Sequence, residues 1–176
     1  MDQNKRRIFD REKNEYTFTT LRSLIKSINK ASLEFKNIKF DLMITDTNSS
    51  KEDIDKIKKI LNESNIDNKF KSIDLANFKE KIKPCYSKAK FSNMANFYTS
   101  LMIAKKESAD IVYFVEDDYL HSEDAITEMI FAYEKFNTIF SRDLVLIPSD
   151  YPYLYSKDEA TKIYLGEKYH WRLVSE

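Results

Sequence analysis

The chain has 176 residues, a length that suits one folded domain, and its 42% hydrophobic and 33% charged residues are typical of soluble globular proteins. Its 29 basic and 29 acidic residues cancel, which argues against a general nucleic-acid binder or a polybasic membrane binder. The single cysteine, Cys85, allows no intramolecular disulfide and favours a reducing, cytoplasmic compartment. The longest apolar run is only 111–115, so we expect neither a signal peptide nor a membrane span.

The first half of the chain alternates between helical and strand patterns. Apolar residues at helical spacing predict a helix over about 19–30, and the apolar run 40–45 predicts a strand that ends in a polar cluster. Ser50 followed by Asp53 is a capping-box pattern, which predicts the start of a second helix. A further strand is predicted over 70–75, and it closes one βαβ unit.

The second half continues the alternation. A third helix is predicted from an apolar stripe, which we expect to face the core, made of Met94, Phe97, Tyr98, Leu101 and Ala104. The most apolar predicted strand is 110–115, Ser122 is expected to cap a fourth helix, and 144–147 is the last clear strand. The whole pattern predicts an α/β fold over 1–176, with a mostly parallel sheet and helices on both faces.

Acidic side chains follow three of the predicted strands. They are Asp46, the triplet Glu116, Asp117 and Asp118, and Asp150. In open α/β sheets, ligands bind at the carboxyl ends of the strands. If strand geometry continues through the triplet, its first and third carboxylates point the same way and the second points opposite. Such clustered oxygens favour Mg²⁺ or Mn²⁺ together with substrate phosphates. The alternative is that the acids only cap the helix that follows.

The order of these motifs resembles nucleotide-sugar glycosyltransferases of the GT-A fold, especially the inverting, family-2-like bacterial enzymes. The Glu-Asp-Asp triplet at 116–118 is similar to a variant of the DxD motif of that family. The resemblance covers about 10–171, and its other matching segments are Asp10-Arg11, residues 21–24, residues 40–50, Asn96 and Ala104. It implies a GT-A-like, Rossmann-like fold and a metal-dependent transfer of a sugar from a nucleoside-diphosphate donor.

The resemblance also implies roles for individual residues. Asp46, Glu116, Asp117 and Arg11 would contact the donor, while Asp118 and His170 would bind Mn²⁺ or Mg²⁺. Asp150 ends the last predicted strand and is the best candidate for the catalytic base that takes the proton of the acceptor hydroxyl. The alternatives are a turn aspartate for Asp150 and a purely structural role for His170.

The resemblance implies a glycan or a lipid-linked acceptor, and with it cell-surface polysaccharide biosynthesis in the cytoplasm. No nucleic-acid partner and no transmembrane segment are expected, and peripheral membrane association is left open. Donor sugar and oligomeric state are not encoded in these patterns.

Two departures from the family pattern support a second hypothesis. The first strand of the family is reduced here to Ile8 and Phe9, and residues 169–176 have the pattern of an opening strand, so we expect the domain to be incomplete at its C-terminus. The alternative function is therefore a truncated, non-catalytic glycosyltransferase-like binding domain. A receiver-type phosphoacceptor domain would need a lysine after the last strand, where the chain has 148–150 instead. Polymerase-like nucleotidyl transfer gains no support from the neutral charge balance.

Overall fold

A computed structural model describes residues 11–82, 87–108, 110–149 and 161–173. The chain divides into two compact units, Met1–Ile25 with Ile38–Leu120 and Lys26–Asn37 with His121–Glu176. The prediction of a single domain stays a prediction. The elements are the helices α1 (Lys13–Glu34), α2 (Lys51–Asn62), α3 (Lys88–Glu107) and α4 (Ala125–Phe140), a 3-10 turn (Leu75–Phe78), and the strands β1 (Asp41–Asp46), β2 (Asp67–Ser72), β3 (Ile163–Leu165) and β4 (His170–Arg172).

The first unit contains the predicted βαβ arrangement. Strand β1 pairs in parallel with β2, and Asp46 at the end of β1 stands opposite Ser72. Helix α2 connects the two strands, and its N-cap is Ser50, whose hydroxyl accepts a hydrogen bond of 3.1 Å from the backbone N–H of Asp53. The predicted cap satisfies a backbone donor that the first turn of a helix cannot pair. This part of the prediction is confirmed, although β2 begins three residues earlier than expected.

The core of the first unit lies between α1, α2 and the small sheet. Helix α1 contributes Phe18 and Leu21 because apolar residues three apart lie on one face of a helix. The buried and partly buried residues that meet them are Ile25 of α1, Ile57, Ile60 and Leu61 of α2, and Leu42, Ile44 and Phe70 of the sheet. This packing holds α1 and α2 against the two-stranded sheet of the first unit.

Two predicted strands do not form. The stretches 111–116 and 143–149 are neither helical nor paired as strands, so the predictions for 110–115 and 144–147 were wrong. An extended apolar run becomes a strand only when a neighbour accepts its backbone hydrogen bonds. Among the described residues, the parallel sheet has two strands, β1 and β2. The α/β class is therefore confirmed, with a sheet much smaller than the sequence predicts.

Helix α3 presents the opposite face to the one expected. Its buried residues are small or polar, namely Ser92, Ala95 and Thr99. Hydroxyl pairs join this face to β1 and the loop after it, with Ser100 Oγ 3.0 Å from Thr45 Oγ1 and Ser92 Oγ bonded to Thr47 Oγ1. Of the apolar stripe that was predicted to be core, Met94, Phe97, Tyr98 and Leu101 are exposed and Ala104 is half-buried. Met102, which was not part of that prediction, is exposed beside them. We call Met94, Phe97, Tyr98, Leu101 and Met102 the α3 stripe.

The second unit joins α4 to a hairpin. Helix α4 begins at Ala125 with Asp124 at the N-cap position, so the prediction of Ser122 as the cap was wrong. Strands β3 and β4 pair antiparallel with Tyr164 opposite Trp171. Both rings pack edge-on against Phe136 of α4, with ring centroids 5.7 and 6.2 Å away.

A buried carboxylate fastens the turn of this hairpin to α4. Glu128 is only 3% exposed and accepts hydrogen bonds from the backbone N–H groups of Glu167 at 3.1 Å and Lys168 at 2.8 Å. Its other oxygen accepts the indole N–H of Trp171 at 2.8 Å. A Cβ added to Gly166 would stand 1.7 Å from Glu128 Oε1, so only glycine fits there. We call this arrangement the Glu128 clamp.

Within the described ranges, no helix is both long enough and apolar enough to cross a membrane.

Candidate functional site

The carboxyl end of β1 carries the first predicted site residue, Asp46. Its carboxylate accepts two hydrogen bonds from Ser49, one from the hydroxyl at 2.5 Å and one from the backbone N–H at 3.3 Å. Its backbone carbonyl accepts the N–H of Ile73 at 2.7 Å, which holds the end of β1 to the chain after β2. The side chain is therefore oriented by its own loop, with a carboxylate that retains further lone pairs for a ligand.

The acidic triplet forms the second part of the site. Glu116 ends the unpaired stretch, and Asp117 and Asp118 form a turn. Partial desolvation, together with the negative charges of Asp118 and then Asp117, raises the pKa of Glu116, while Lys13 opposes this effect. The three carboxyl groups belong to consecutive residues, so their negative charges act on one another.

Helix α1 contacts the middle residue of the triplet. Thr17 Oγ1 donates to Asp117 Oδ2 at 3.1 Å, and Lys13 Nζ lies 3.4 Å from the same oxygen. Lys13 and Thr17 are four residues apart, so they stand one above the other on one face of the helix. Asp117 is thus engaged by α1, whereas residues 117–118 form a turn, so the predicted strand-like alternation of the three carboxylates does not apply.

The same end of α1 also contacts the start of α2. Asn14 Nδ2 donates to Asp53 Oδ1 at 3.1 Å, and Asp53 belongs to the first turn of α2, directly after the loop that carries Asp46. The first two turns of α1 therefore contact both the acidic triplet and the start of the helix that follows the Asp46 loop.

The remaining predicted site residues are Arg11, His170 and Asp150. Arg11 Nη1 lies 3.8 Å from Glu15 Oε2 in an exposed pair along α1, so its predicted contact with a donor diphosphate stays a prediction. His170 is an exposed residue of β4 in the second unit. Asp150, the predicted catalytic base, lies outside the described residues.

The chemistry of the triplet fits a hard cation. Its donors are carboxylate oxygens, and the mutual charge effect on the pKa of Glu116 is the kind of repulsion that a divalent ion relieves. In the described part of the chain, no group of three His, Cys, Asp or Glu side chains is already arranged to ligate a metal. One or two carboxylates with substrate phosphates suffice for Mg²⁺. Asp118, with Glu116 beside it, would supply them.

Sequence reasoning missed Lys13, Thr17 and Asn14 as neighbours of the site. Lys13 and Thr17 meet Asp117 across about a hundred residues of chain, and nothing in their local pattern marks them. The predicted helix began only at about residue 19, six residues after the observed start of α1 at Lys13, so these residues were not assigned to a helix at all. The Glu128 clamp was also missed, because an acidic residue in a mostly apolar helix carries no indication of its partner.

Comparison with family models, with curated proteins and with solved structures gives no match to this chain.

The raised pKa of Glu116 predicts a dependence of stability on pH. A carboxyl group whose pKa is higher in the folded than in the unfolded chain opposes folding once it ionises, so its favourable contribution is complete below the unfolded pKa and is lost as the pH rises through the folded one. Glu116→Gln removes this ionisation. We expect it to raise Tm by about 1 °C near pH 7, a small effect because the group is well exposed, and to leave Tm unchanged near pH 4.

Thermal melts of wild type and Glu116→Gln at both pH values measure the effect. Glu63→Gln, which alters an exposed carboxylate after α2, is the matched control and should show no such pH-dependent gain. A Glu116→Gln protein less stable than wild type near neutral pH would contradict the prediction.

Proposed function

We propose that this chain is a GT-A-like, metal-dependent glycosyltransferase that moves a sugar from a nucleoside-diphosphate donor to a glycan or lipid-linked acceptor, with inversion. Cell-surface polysaccharide biosynthesis on the cytoplasmic side is the corresponding role. The proposal rests on the resemblance of the ordered motifs. The observation that carries it is the contact of the acidic triplet with α1, through Asp117, Thr17 and Lys13, in the unit that holds Asp46.

The βαβ unit supports the proposal on general grounds. Asp46 stands at the carboxyl end of a parallel strand, which is where open α/β sheets bind nucleotides. Its carboxylate is oriented by Ser49 and can accept a hydrogen bond from a nucleobase or ribose. Lys13 and Thr17 hold Asp117, so that the turn at 117–118 keeps its position against α1. Arg11, one turn before Glu15, is the candidate donor to the diphosphate.

Asp118 is the residue proposed to bind a divalent cation, with Glu116 as its neighbour. When bound, Mn²⁺ or Mg²⁺ supplies charge neutralisation to the diphosphate leaving group. His170 is proposed as a further ligand and Asp150 as the base that takes the proton from the acceptor hydroxyl. These last two assignments rest on the resemblance and on position in the sequence.

Calorimetric titration of UDP and of GDP, each with and without Mn²⁺, tests the proposal. We expect one of the two nucleotides to bind, and its affinity to rise at least about tenfold when Mn²⁺ is present. A folded protein that binds neither nucleotide under any condition would refute the proposal. Subsequent incubation with the matching sugar nucleotides, followed by measurement of released nucleotide, then identifies the donor.

The titration, followed by the turnover measurement, also distinguishes the proposed transferase from the alternative function. Metal-dependent nucleotide binding with no turnover of any sugar nucleotide, in the presence of glycan and lipid-linked acceptors, would favour a non-catalytic glycosyltransferase-like binding domain. Among the described residues the parallel sheet has two strands, fewer than a complete nucleotide-binding sheet needs, and this observation supports the alternative.

A further inference from the structure

Helix α3 carries an exposed apolar face in a position where the sequence alone predicts core. The α3 stripe comprises residues at i, i+3, i+4, i+7 and i+8, which lie together on one side of a helix. Phe97 is 53% exposed and Leu101 42% exposed, whereas Ser92 and Thr99 on another side are buried. A contiguous apolar patch of this kind marks a surface that meets another molecule or a membrane.

Lysines stand at both ends of the same side of α3. Lys90 precedes Met94 by four residues, and Lys105 follows Leu101 by four, so both side chains are aligned with the α3 stripe. Both lysines are exposed. From Lys88 to Lys106 the sequence contains four lysines and no acidic residue, although the whole chain has no net charge. This stretch of α3 therefore carries a net positive charge of its own.

The surroundings of α3 add to this charge pattern. Phe78 of the 3-10 turn packs edge-on against Tyr98 of the stripe, with ring centroids 6.0 Å apart. Lys81 Nζ lies 5.7 Å from the centroid of Phe78, so another cation stands beside the apolar surface. The acidic residue that ends α3, Glu107, is paired with Lys69 at 3.0 Å, which neutralises its charge.

We propose that α3 docks this protein onto an anionic lipid bilayer, with the α3 stripe inserted among the headgroups and Lys90 and Lys105 contacting lipid phosphates. An exposed helix face whose aromatic and aliphatic residues are flanked by lysines suits the membrane interface, because long lysine side chains reach the headgroups while the apolar residues insert. Charge complementarity distinguishes this occupant from a second copy, whose α3 would bring lysines against lysines. The inference is independent of the proposed function, since it uses no residue of the candidate site.

Vesicle sedimentation tests the inference with the full chain. The probes are sucrose-loaded vesicles of phosphatidylcholine alone and of phosphatidylcholine with about 30% phosphatidylglycerol. Wild type should bind the anionic vesicles at least about tenfold more strongly than the neutral ones, and added salt should weaken the binding. Phe97→Glu with Leu101→Glu should lower the binding at least about tenfold, because it places charge on the inserting surface.

Two further variants separate docking from a general loss of structure. Lys90→Glu with Lys105→Glu leaves the α3 stripe intact and should also lower binding to anionic vesicles about tenfold, with a weaker salt dependence. Ile139→Glu alters a residue of α4 that is 55% exposed and should change binding by less than about twofold. Circular dichroism verifies that each variant retains its helices.

Several results would overturn the inference. One is that wild type stays in the supernatant with both vesicle types. Another is that it binds neutral and anionic vesicles equally. A third is that Ile139→Glu lowers vesicle binding as much as Phe97→Glu with Leu101→Glu does. Light scattering that shows a dimer in wild type and a monomer in the stripe variant, without lipid binding, would assign the α3 stripe to a second copy instead.

Discussion

Replacing Asp118 with asparagine is expected to abolish metal-dependent nucleotide binding while leaving the fold intact. Asparagine keeps the size of the side chain but removes the anionic charge that binds a divalent cation, and Glu116 alone does not replace it. We expect the affinity for UDP or GDP with Mn²⁺ to fall about a hundredfold or more, to the level measured without metal. Calorimetric titration measures the change. Any sugar transfer by wild type should be lost in parallel.

The matched control for this change is Asp55→Asn, which removes an exposed carboxylate of α2 in the same unit. Its nucleotide affinity should equal that of wild type within about twofold, because surface substitutions away from a site have little effect. An Asp118→Asn protein that retains metal-dependent binding would show that Asp118 does not bind the cation and that the donor site lies elsewhere.

Removing the Glu128 carboxylate is expected to give the largest loss of stability. Glu128→Ala leaves the backbone N–H groups of Glu167 and Lys168 and the indole N–H of Trp171 without their acceptor. Because three charge-assisted hydrogen bonds to a buried carboxylate are lost together, we expect the free energy of unfolding to fall by about 3 kcal/mol. Trp171 is the only tryptophan, so its fluorescence in a urea titration reports on this hairpin directly.

Glu134→Ala is the control, because Glu134 is an exposed residue of the same helix, and it should change the unfolding free energy by no more than about 0.5 kcal/mol. Gly166→Ala tests the clamp at the hairpin turn. It should also destabilise the hairpin, because the added Cβ would collide with Glu128 Oε1. Equal midpoints for Glu128→Ala and Glu134→Ala would show that the hairpin is held by its aromatic contacts with Phe136 alone.

Local signals in the sequence predicted the elements whose stability is local. Helix α2 was located from its cap at Ser50, and the parallel pair was located from two apolar runs on either side of that helix. A capping box and a change of hydrophobic period act over a few residues, so sequence patterns contain them in full. The position of Asp46 at the end of β1 followed from the same reasoning.

Features that depend on distant partners were not predictable in this way. The apolar run 111–115 has the composition of a strand, yet strand formation requires a neighbour whose position the run does not encode. The predicted orientation of α3 was wrong for a related reason. Periodicity identifies the apolar face of a helix but does not identify what that face contacts. The contacts of Asp117 with Lys13 and Thr17 join segments about a hundred residues apart.

The clamp on the hairpin has a practical consequence for spectroscopy. Gly166 is the only glycine of the chain, and its backbone N–H donates to the carbonyl of Tyr169 at 2.8 Å within the turn that Glu128 holds. A sample labelled with ¹⁵N at glycine alone would therefore give a single amide resonance. That resonance reports on one hydrogen bond of the turn, so opening of the clamp could be followed by NMR without assigning any other signal.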